Sequence, residues 1–532
     1  MGKQVMLVAY QDQDNLGIGY LASVVQEAGF RPIIVDYRLG PEKIAELAQH
    51  HQPLVIGFSI IFQFHTPDFR QLMGYLRDHG VKCHFTAGGH YPSLRWREVL
   101  QAVPELDSIT RFEGEWTFLD LVRSLDEQRD WTALDGLAYR TREELFTNPP
   151  RPLELDIDKF PPPMRPPLRR EILGRKEVTL IAGRGCLYNC SFCSIRQFYS
   201  PPPGPLKRVR SPEMVVREME LLHDQYQASV FLFQDDDFPA TARNGADWAD
   251  RFARRLHETG LDRKVLWKIN CRVDEVEEDR FAMLRDAGML NVYLGIESGT
   301  GDGLELMNKH TSPEANLRAV EVLRKLRLNC DFGFMIFDPL STLESVDRNL
   351  EFLHQLCGDG YTAVTGCKMI PYAETAIEKW LQKEGRLEVS GEYENYHFLT
   401  PEVETLYGWF IDTFANWIEG PTGVLTGSRR ARYSLSVLQR FTDPSEQVNE
   451  LDRAVTQIVS AANQLFTDAM REAIRALSAG YSSVERSHRL NWVQSEVSTR
   501  ERRIRSRIEG LITEIEQLSA PVSESPARMA QV

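Results

Sequence analysis

This sequence of 532 residues lacks both a long apolar run and a cysteine framework. No apolar stretch reaches the ~20 residues that a membrane-spanning helix needs. The first apolar stretch, residues 5–9, is too short for a signal peptide and has no small-residue cleavage site after it. Five of the eight cysteines stand singly, which argues against a disulfide-stapled domain and favours reduced thiols. We therefore expect a cytoplasmic protein with no membrane span.

Positive charge is also in deficit, because the formal net charge is −14 at pH 7. An acidic chain is repelled by phosphate backbones, so a nucleic-acid partner is not expected. The composition, with 42% hydrophobic and 26% charged residues, is that of an ordinary globular protein. At roughly 150 residues for each domain, the length allows three or four domains.

Three cysteines are crowded into the short stretch 186–193, with the spacing C-x3-C-x2-C. One loop can therefore point the sulfurs of Cys186, Cys190 and Cys193 at a single metal centre. A structural zinc site takes four ligands, and no fourth Cys or His lies nearby in the sequence. A [4Fe-4S] cluster held by three thiolates keeps one iron open for chemistry. The spacing thus predicts such a cluster in preference to a zinc loop or a disulfide.

This cysteine motif, with Phe192 just before its last cysteine, resembles that of the radical S-adenosylmethionine (SAM) superfamily. The resemblance implies that SAM chelates the open iron and that Phe192 lies at the SAM site. It also implies that an electron from the cluster cleaves SAM to methionine and a 5′-deoxyadenosyl radical. Radical chemistry of this kind belongs to the cofactor, while the protein orients and shields it.

Short apolar strands alternate with amphipathic helices over about residues 1–145. This alternation predicts an α/β domain with a doubly wound, Rossmann-like parallel sheet. Ligands of such sheets bind beyond the carboxyl ends of the strands, where glycine-rich turns let the backbone approach. The turns of this domain contain Gly17, Ser59, Gly88, Gly89, Glu113 and Gly114.

With the segments GYLASVVQEAGF, TAGGHYPS and EGEWTFLDLV, these turns resemble the cobalamin-binding domain of cobalamin-dependent radical SAM enzymes. The resemblance implies that the six turn residues contact cobalamin; the alternative is a degenerate domain kept for structure. The D-x-H-x-x-G motif, which gives some cobalamin proteins a histidine ligand for cobalt, is absent near residues 12–15. The resemblance therefore implies that cobalamin is held without that histidine ligand. His90 is a possible replacement, although a loop histidine is more often a surface or hydrogen-bonding residue.

A proline-rich stretch within residues 146–174 predicts a semi-rigid linker. After it, a βα unit repeats over residues 175–385, which predicts a parallel barrel with its chemistry at the carboxyl ends of the strands. A partial (β/α)6 barrel of the TIM type is also what the radical SAM resemblance implies. The six candidate strands are 178–182, 229–234, 264–272, 290–295, 329–337 and 362–370.

Polar residues stand at the ends of these candidate strands, and the resemblance places SAM there. Asp235 and Asp236 replace the usual Gly-Gly-Glu, so either carboxylate is a candidate partner of the SAM amino group, with a helix cap as the alternative. Arg272 is a candidate for gripping a carboxylate with its planar fork, or else it forms a salt bridge within the barrel. Glu297 and Ser298, in Gly-Ile-Glu-Ser-Gly, resemble the family segment that lies near SAM.

Residues 386–518 have helical periodicity and predict a helical C-terminal domain. Its aromatic-rich stretch, residues 393–417, is either a packing layer on the barrel or a wall of the substrate pocket. Two long amphipathic helices, over 451–477 and 490–518, predict an antiparallel hairpin that caps the site or mediates assembly. Residues 519–532 are expected to form a disordered tail.

The resemblance as a whole implies a cobalamin-dependent radical SAM enzyme. In the leading interpretation it methylates an unactivated carbon of a small molecule or peptide, through a 5′-deoxyadenosyl radical and methylcobalamin. An electron donor such as flavodoxin or ferredoxin is then required. The alternatives are a cyclase or oxidase resembling the anaerobic magnesium-protoporphyrin IX monomethyl ester cyclase, and a non-catalytic cobalamin or redox sensor. No residue is assigned as a catalytic acid, base or nucleophile.

Overall fold

The computed structural model describes most of the chain: residues 3–11, 14–142, 144–167, 170–239, 245–390 and 393–519. The predicted disordered tail therefore lies, from residue 520 onward, outside the described residues. So do two of the four residues, 12 and 13, at the position where the D-x-H-x-x-G motif was sought.

The N-terminal part of the chain folds as alternating strands and helices. Their bounds are β1 Gln4–Ala9, α1 Leu16–Glu27, β2 Arg31–Asp36, α2 Pro41–His51, β3 Val55–Ser59, α3 Thr66–Asp78, β4 His84–Gly88, α4 His90–Leu94, α5 Trp96–Ala102, β5 Ser108–Thr110, α6 Glu115–Asp126, β6 Leu137–Thr141 and β7 Glu144–Thr147.

These seven strands form one sheet in the order β2-β1-β3-β4-β5-β6-β7. The first five are parallel, and the β6–β7 hairpin adds two antiparallel strands at one edge. Alternate residues of β1 face different cores, with Met6 and Val8 on one side and Val5 and Leu7 on the other. Both faces are therefore covered, as in the predicted doubly wound fold.

The middle of the chain builds a second sheet. Its elements are β8 Glu171–Ile172, β9 Arg175–Leu180, β10 Gly183–Arg184, α7 Ile195–Tyr199, β11 Arg208–Val209, α8 Pro212–Tyr226, β12 Ala228–Phe233, α9 Ala246–Thr259, β13 Leu266–Arg272, α10 Glu278–Asp286, β14 Met289–Glu297, α11 Gly301–Leu306, α12 Pro313–Lys325, β15 Asn329–Phe337, α13 Leu343–Cys357 and β16 Cys367–Lys368.

The second sheet has the order β16-β15-β14-β13-β12-β9-β8. Six of its strands run parallel, and only the short β8 is antiparallel to its neighbour. The chain forms these βα units because capping residues fix where helices begin: Ser211 and Ser312 each accept a backbone hydrogen bond and are followed by proline. This curled sheet of six parallel strands confirms the predicted partial barrel.

The sixth predicted strand, 362–370, is much shorter in the structure, where β16 contains only two residues. A helix side chain takes the hydrogen bonds that a longer strand would have used. The Oδ1 atom of Asn463 accepts from the backbone N–H of Val364 at 2.8 Å, and its Nδ2 donates to the carbonyl of Thr362 at 2.9 Å. Such a contact between distant segments is invisible to a local strand pattern.

The C-terminal part is mostly helical and packs onto the barrel, but the start of the stretch predicted as helical forms an antiparallel pair of short strands. Its elements are α14 Ala376–Lys383, β17 Leu387–Ser390, β18 Tyr393–Tyr396, α15 Pro401–Glu419, α16 Val424–Phe441, α17 Glu446–Ser478 and α18 Ser483–Ser519. The last two are the predicted long helices, and each starts several residues earlier than expected. Within the described chain, none of the helices has the length and apolarity that crossing a membrane would take.

The aromatic-rich stretch forms a packing layer, which was one of its two interpretations. Phe410 and Trp417 are buried in the same core as the barrel strands. The ring of Phe337, at the end of β15, lies 5.2 Å from that of Phe410 and 5.9 Å from that of Phe398. These rings close one side of the barrel.

The proline-rich connection lies along α1 and is held by hydrogen bonds. The hydroxyl of Ser23 donates to the carbonyl of Pro162 at 2.7 Å, and the N–H of Met164 donates to the carbonyl of Gly19 at 3.0 Å. A Cβ atom on Gly19 would lie 2.6 Å from the carbonyl oxygen of Met164, so this close approach needs glycine. The division of the chain into 1–145, 146–174, 175–385 and 386–518 stays a prediction.

Candidate functional site

A cavity of about 680 Å³ lies between the carboxyl ends of the first sheet's strands and those of the barrel. All six turn residues predicted to contact cobalamin line it. From the barrel side it is lined by Gly183, Arg184, Gln234 and Asp236. The fold therefore brings the glycine-rich turns and one predicted SAM residue to a single space.

The sheet side of the cavity contains glycine-rich turns among apolar and aromatic side chains. Gly89 has a φ of +107°, and a Cβ atom there would lie 2.4 Å from the carbonyl oxygen of Ile60. Only glycine fits both conditions. Asn15 ties two of the turns together, since its Oδ1 caps α1 at the N–H of Ile18 and its Nδ2 donates to the hydroxyl of Ser59 at 3.4 Å.

Glu113 differs from the other five turn residues because its charge is already paired with the barrel. Its carboxylate accepts from Arg208 Nη1 at 2.9 Å and lies 3.3 Å from Arg184 Nη1. Burial raises the pKa of Glu113, but the two guanidiniums outweigh it and hold that pKa below its usual value. Glu113 thus fastens the sheet to the barrel, and a contact with cobalamin stays a prediction.

His90 lies in the cavity wall at the start of α4, with its ring 4.2 Å from that of Phe198. Its Nε2 atom is buried and has no hydrogen-bond partner among the described residues. Burial lowers the pKa of His90 to about 4, so the ring is neutral at pH 7. Because Nε2 is enclosed by protein, this atom is not open to the cavity, and a role for His90 as a cobalt ligand stays a prediction.

The three cysteines of the motif are free, partly buried thiols. Within the described part of the chain, no three His, Cys, Asp or Glu side chains converge on one ion position. A cubane cluster does not require such convergence, because each thiolate binds a different iron. Burial, with nearby acidic groups, raises the pKa of Cys186 and of Cys193 to about 12, so ionising these thiols takes a strong cation. This donor set fits an iron–sulfur cluster.

The cysteine loop is strapped to the segment that follows α11. The N–H of Ser191 donates to the carbonyl of Met307 at 2.9 Å, and its hydroxyl donates to that of Leu306 at 2.7 Å. The side-chain amide of Asn308 donates to the carbonyl of Asn189 at 2.6 Å. We call these three bonds the loop strap.

Arg272 reaches this loop from the end of β13. Its Nη1 lies 3.7 Å from the sulfur of Cys190, and its guanidinium lies 3.9 Å from the centre of the Tyr188 ring. Its Nε also donates to Asp274 at 2.8 Å, so the salt bridge that was one of its two interpretations is present. A role in gripping SAM stays a prediction.

The two candidate aspartates have different surroundings. Asp235 is buried and accepts from the N–H groups of Ala182 at 3.0 Å and Gly183 at 2.6 Å, so it shapes the chain entering the cysteine loop. Asp236 opens to the cavity and accepts from Gly185 at 3.1 Å. Burial raises the pKa of Asp235 to about 8. Of the two, only Asp236 lines the cavity, and its pairing with the SAM amino group stays a prediction.

Glu297 ends β14 with a φ of +67°, which is strained for a residue with a side chain. Its Oε1 lies 3.2 Å from the ammonium of the buried Lys309. The hydroxyl of Ser298 is buried and lies 3.3 Å from Oδ1 of Asn349, so Ser298 holds the loop. Phe192 packs against the barrel core. For all three, contact with SAM stays a prediction.

The sequence reasoning missed Arg184, which stands between the two glycines that precede the first cysteine. Its guanidinium lies 2.7 Å from Glu115 and 4.8 Å from the ring centres of Tyr20 and Phe160. The signal was available, since a charged residue in an apolar strand end needs buried partners. Those partners come from the first sheet and could not be identified from local pattern.

Comparison with known proteins adds two domain matches. Residues 2–122 match the family model of the B12 binding domain, and residues 180–353 match that of the radical SAM superfamily. The first match contains the glycine-rich turns, and the second contains the cysteine motif.

Two curated relatives and one solved structure are similar over much of the chain. An uncharacterized methyltransferase of Pyrococcus horikoshii is 28% identical over 64% of this chain and 73% of its own length. The anaerobic magnesium-protoporphyrin IX monomethyl ester cyclase of Cereibacter sphaeroides is 26% identical over 72% of this chain and 62% of its own length. The cobalamin-dependent SAM radical enzyme OxsB, solved with aqua-cobalamin and SAM bound, is 17% identical. Its TM-score is 0.68, and the match covers 97% of this chain and 79% of OxsB, so the fold is shared.

Proposed function

Because this chain belongs to the radical SAM proteins that carry an N-terminal B12-binding domain, we propose that it is a cobalamin-dependent methyltransferase acting on an unactivated carbon. The observation that carries the proposal is the single cavity where the glycine-rich turns of the sheet face the strand ends of the barrel. A radical and a methyl donor can react with one carbon only if their sites open into one space.

The residues that would hold the cofactors come from both sides of that space. Cys186, Cys190 and Cys193 would ligate a [4Fe-4S] cluster, Asp236 would pair with the SAM amino group, and the glycine-rich turns would bind cobalamin. When bound, the cluster supplies the electron that cleaves SAM and the cobalamin carries the methyl group.

The chain's own contribution is to fix positions and keep water out. Aromatic side chains in the cavity wall, including Phe112, Phe118 and Phe198, shield the space from solvent. The paired charges of Glu113, Arg184 and Arg208 join the sheet to the barrel beside it. A radical formed there meets few alternative partners.

Methylation is favoured over cyclisation by the Pyrococcus relative, which is named as a methyltransferase. The cyclase relative from Cereibacter keeps ring formation or oxidation as the second candidate. A small molecule or peptide is the proposed substrate class. The reducing electron would come from a donor such as flavodoxin or ferredoxin.

The test uses the full chain, reconstituted anaerobically with iron, sulfide and cobalamin, then given SAM and a chemical reductant. We expect release of 5′-deoxyadenosine, measured by chromatography with mass detection. With a candidate substrate, S-adenosylhomocysteine and a methylated product would support methyl transfer. Deoxyadenosine without either would support cyclisation or oxidation instead.

The Cys190→Ala variant should lose deoxyadenosine release while still retaining cobalamin, because the cysteine loop is separate from the glycine-rich turns. Cys83→Ala is the matched control, since Cys83 is also a partly buried free thiol but lies outside the cysteine loop. Full release by Cys190→Ala would show that the cluster assignment is wrong.

A further inference from the structure

A second histidine, which the sequence reasoning did not single out, lines the same cavity. His65 ends the short turn Gln63–His65 that follows β3, and its side chain is 31% exposed. Its Nδ1 atom lies 3.3 Å from Oδ2 of Asp68, in the first turn of α3. The imidazole is therefore oriented by a carboxylate.

The hydroxyl of Tyr10 is a third group at this position, beside His65 and Asp68. The hydroxyl of Tyr10, just after β1, donates to the same Oδ2 of Asp68 at 2.9 Å. Burial and this bond to Asp68 raise the pKa of Tyr10, so its proton stays on the hydroxyl. The Tyr10 ring lies 4.3 Å from the His65 ring, and Phe64 packs on it at 4.6 Å. The ring of His65 is thus held by tilted contacts with two aromatic rings as well as by hydrogen bonding.

These contacts determine which ring nitrogen of His65 has a lone pair available to a ligand. A proton on Nδ1 faces Asp68, which leaves Nε2 with a free lone pair. No described residue makes a hydrogen bond to Nε2 of His65. A histidine that ligates a metal usually donates its other N–H to a carboxylate in this way, and the carboxylate makes it a more basic ligand.

His90 does not have these properties. It has no carboxylate partner among the described residues, and its Nε2 is enclosed by protein. The geometry therefore points to His65. We propose that Nε2 of His65 ligates the cobalt of cobalamin, with Asp68 and Tyr10 as positioning residues. This rests on the proposed function only in requiring that cobalamin binds in the cavity.

The protein would then supply a histidine ligand without the D-x-H-x-x-G motif, from the loop after β3 instead of the loop after β1. The test is electron paramagnetic resonance of the full-length protein reconstituted with cob(II)alamin, prepared with histidine of natural nitrogen or with ¹⁵N-histidine. Nitrogen bound to cobalt splits each line into a triplet when it is ¹⁴N and a doublet when it is ¹⁵N. We expect the splitting to change from triplet to doublet on labelling.

The variants assign the signal to one residue. In labelled His65→Gln the doublet should be lost, whereas labelled His90→Gln should keep it. Asp68→Asn should retain cobalamin but weaken the bond between His65 and cobalt. Loss of a carboxylate that orients a ligating histidine lowers metal affinity by about 10–100-fold. The visible absorption spectrum would then show that a smaller fraction of the bound cobalamin has histidine as its cobalt ligand.

Cobalamin retention after gel filtration is measured on the same samples. If cobalamin is retained and the splitting does not respond to the label, the His65 assignment is overturned while cobalamin binding stands. A doublet that persists in His65→Gln also overturns it. If the wild-type protein retains no cobalamin, the proposed function itself fails.

Discussion

The two sides of the central cavity are lined by different types of residue. The sheet side combines glycine-rich turns, as at Gly88 and Gly89, with apolar and aromatic side chains such as Phe58 and Phe118. The barrel side presents the charged side chains of Arg184 and Asp236, and the Lys207–Asp237 ion pair lies beside Cys186. Glycine-rich turns and an apolar surface suit a large ligand recognised by shape, whereas fixed charges orient a small zwitterion.

The contrast also shows where each wall tolerates change. On the sheet side a side chain in the wrong place removes room. On the barrel side a lost partner leaves a charge buried without compensation. Glu113 and Glu115 depart from this contrast, because both are carboxylates of the first domain that pair with arginines of the barrel. Glu113 contacts two of those arginines, so its replacement is the most severe test of the contrast.

We expect Glu113→Gln to have the largest effect on stability. It leaves Arg208, which is buried, without its carboxylate partner. Removing one member of a buried ion pair costs about 3–5 kcal/mol, and the lower end applies because Arg184 keeps Glu115. Urea denaturation of the variant and wild type at pH 7 measures the difference.

The difference in unfolding free energy between the wild type and Glu113→Gln should also depend on pH. The folded-state pKa of Glu113 lies below its usual value of 4.5, so its stabilising contribution is present above that pH. It is lost as the pH falls through the folded-state pKa, and the gap between wild type and Glu113→Gln should then close. Glu213→Gln, which breaks an exposed pair with Arg251, should cost less than about 1 kcal/mol. Equal losses in the two variants would contradict the contrast.

Gly89→Ala should have the next largest effect. An alanine there adopts an unfavourable positive φ and meets the carbonyl of Ile60, for a cost of about 1–3 kcal/mol. The displaced turn should also weaken cobalamin retention, measured by gel filtration. Gly29→Ala is the matched control, because Gly29 has a φ of +91° but open space around it. Unchanged retention in Gly89→Ala would mean that this turn does not shape the site.

The smallest expected effect is a change in redox potential in Arg272→Gln. Hydrogen bonds to cluster sulfurs help to set the potential, and Arg272 brings an N–H group and a positive charge to Cys190. Without it the cluster should become harder to reduce, which a redox titration followed by electron paramagnetic resonance detects. Arg251→Gln, far along the chain from the cysteine loop and exposed, should leave the potential unchanged. An unaltered potential in Arg272→Gln would show that the contact is incidental.

Much of the fold follows from local pattern. The alternation of apolar runs predicts both parallel sheets, and the serine–proline pairs before α8 and α12 mark where those helices begin. The short β16 could not be predicted, because Asn463 takes its hydrogen bonds from nearly a hundred residues away. Strand length there is decided by tertiary contact and not by residue preference.

In the site, too, some features can be predicted from local sequence and others depend on tertiary contacts. The cysteine spacing and the glycine-rich turns can be identified in the sequence because each lies within one loop. The His65–Asp68 pair is also local, yet its meaning depends on Tyr10 and on the cavity, which come from other elements. Charge partners such as Glu113 and Arg208 are separated widely in sequence, so no spacing rule reveals them.

The loop strap bears on how the enzyme is assembled. Fixing the backbone of a free loop costs about 1–2 kcal/mol for each residue. Ser191 and Asn308 hold the cysteine loop against the barrel through hydrogen bonds made by the chain itself, so part of this ordering does not depend on metal ligation. We expect iron and sulfide to contribute less to ordering this loop than zinc contributes to folding a zinc finger.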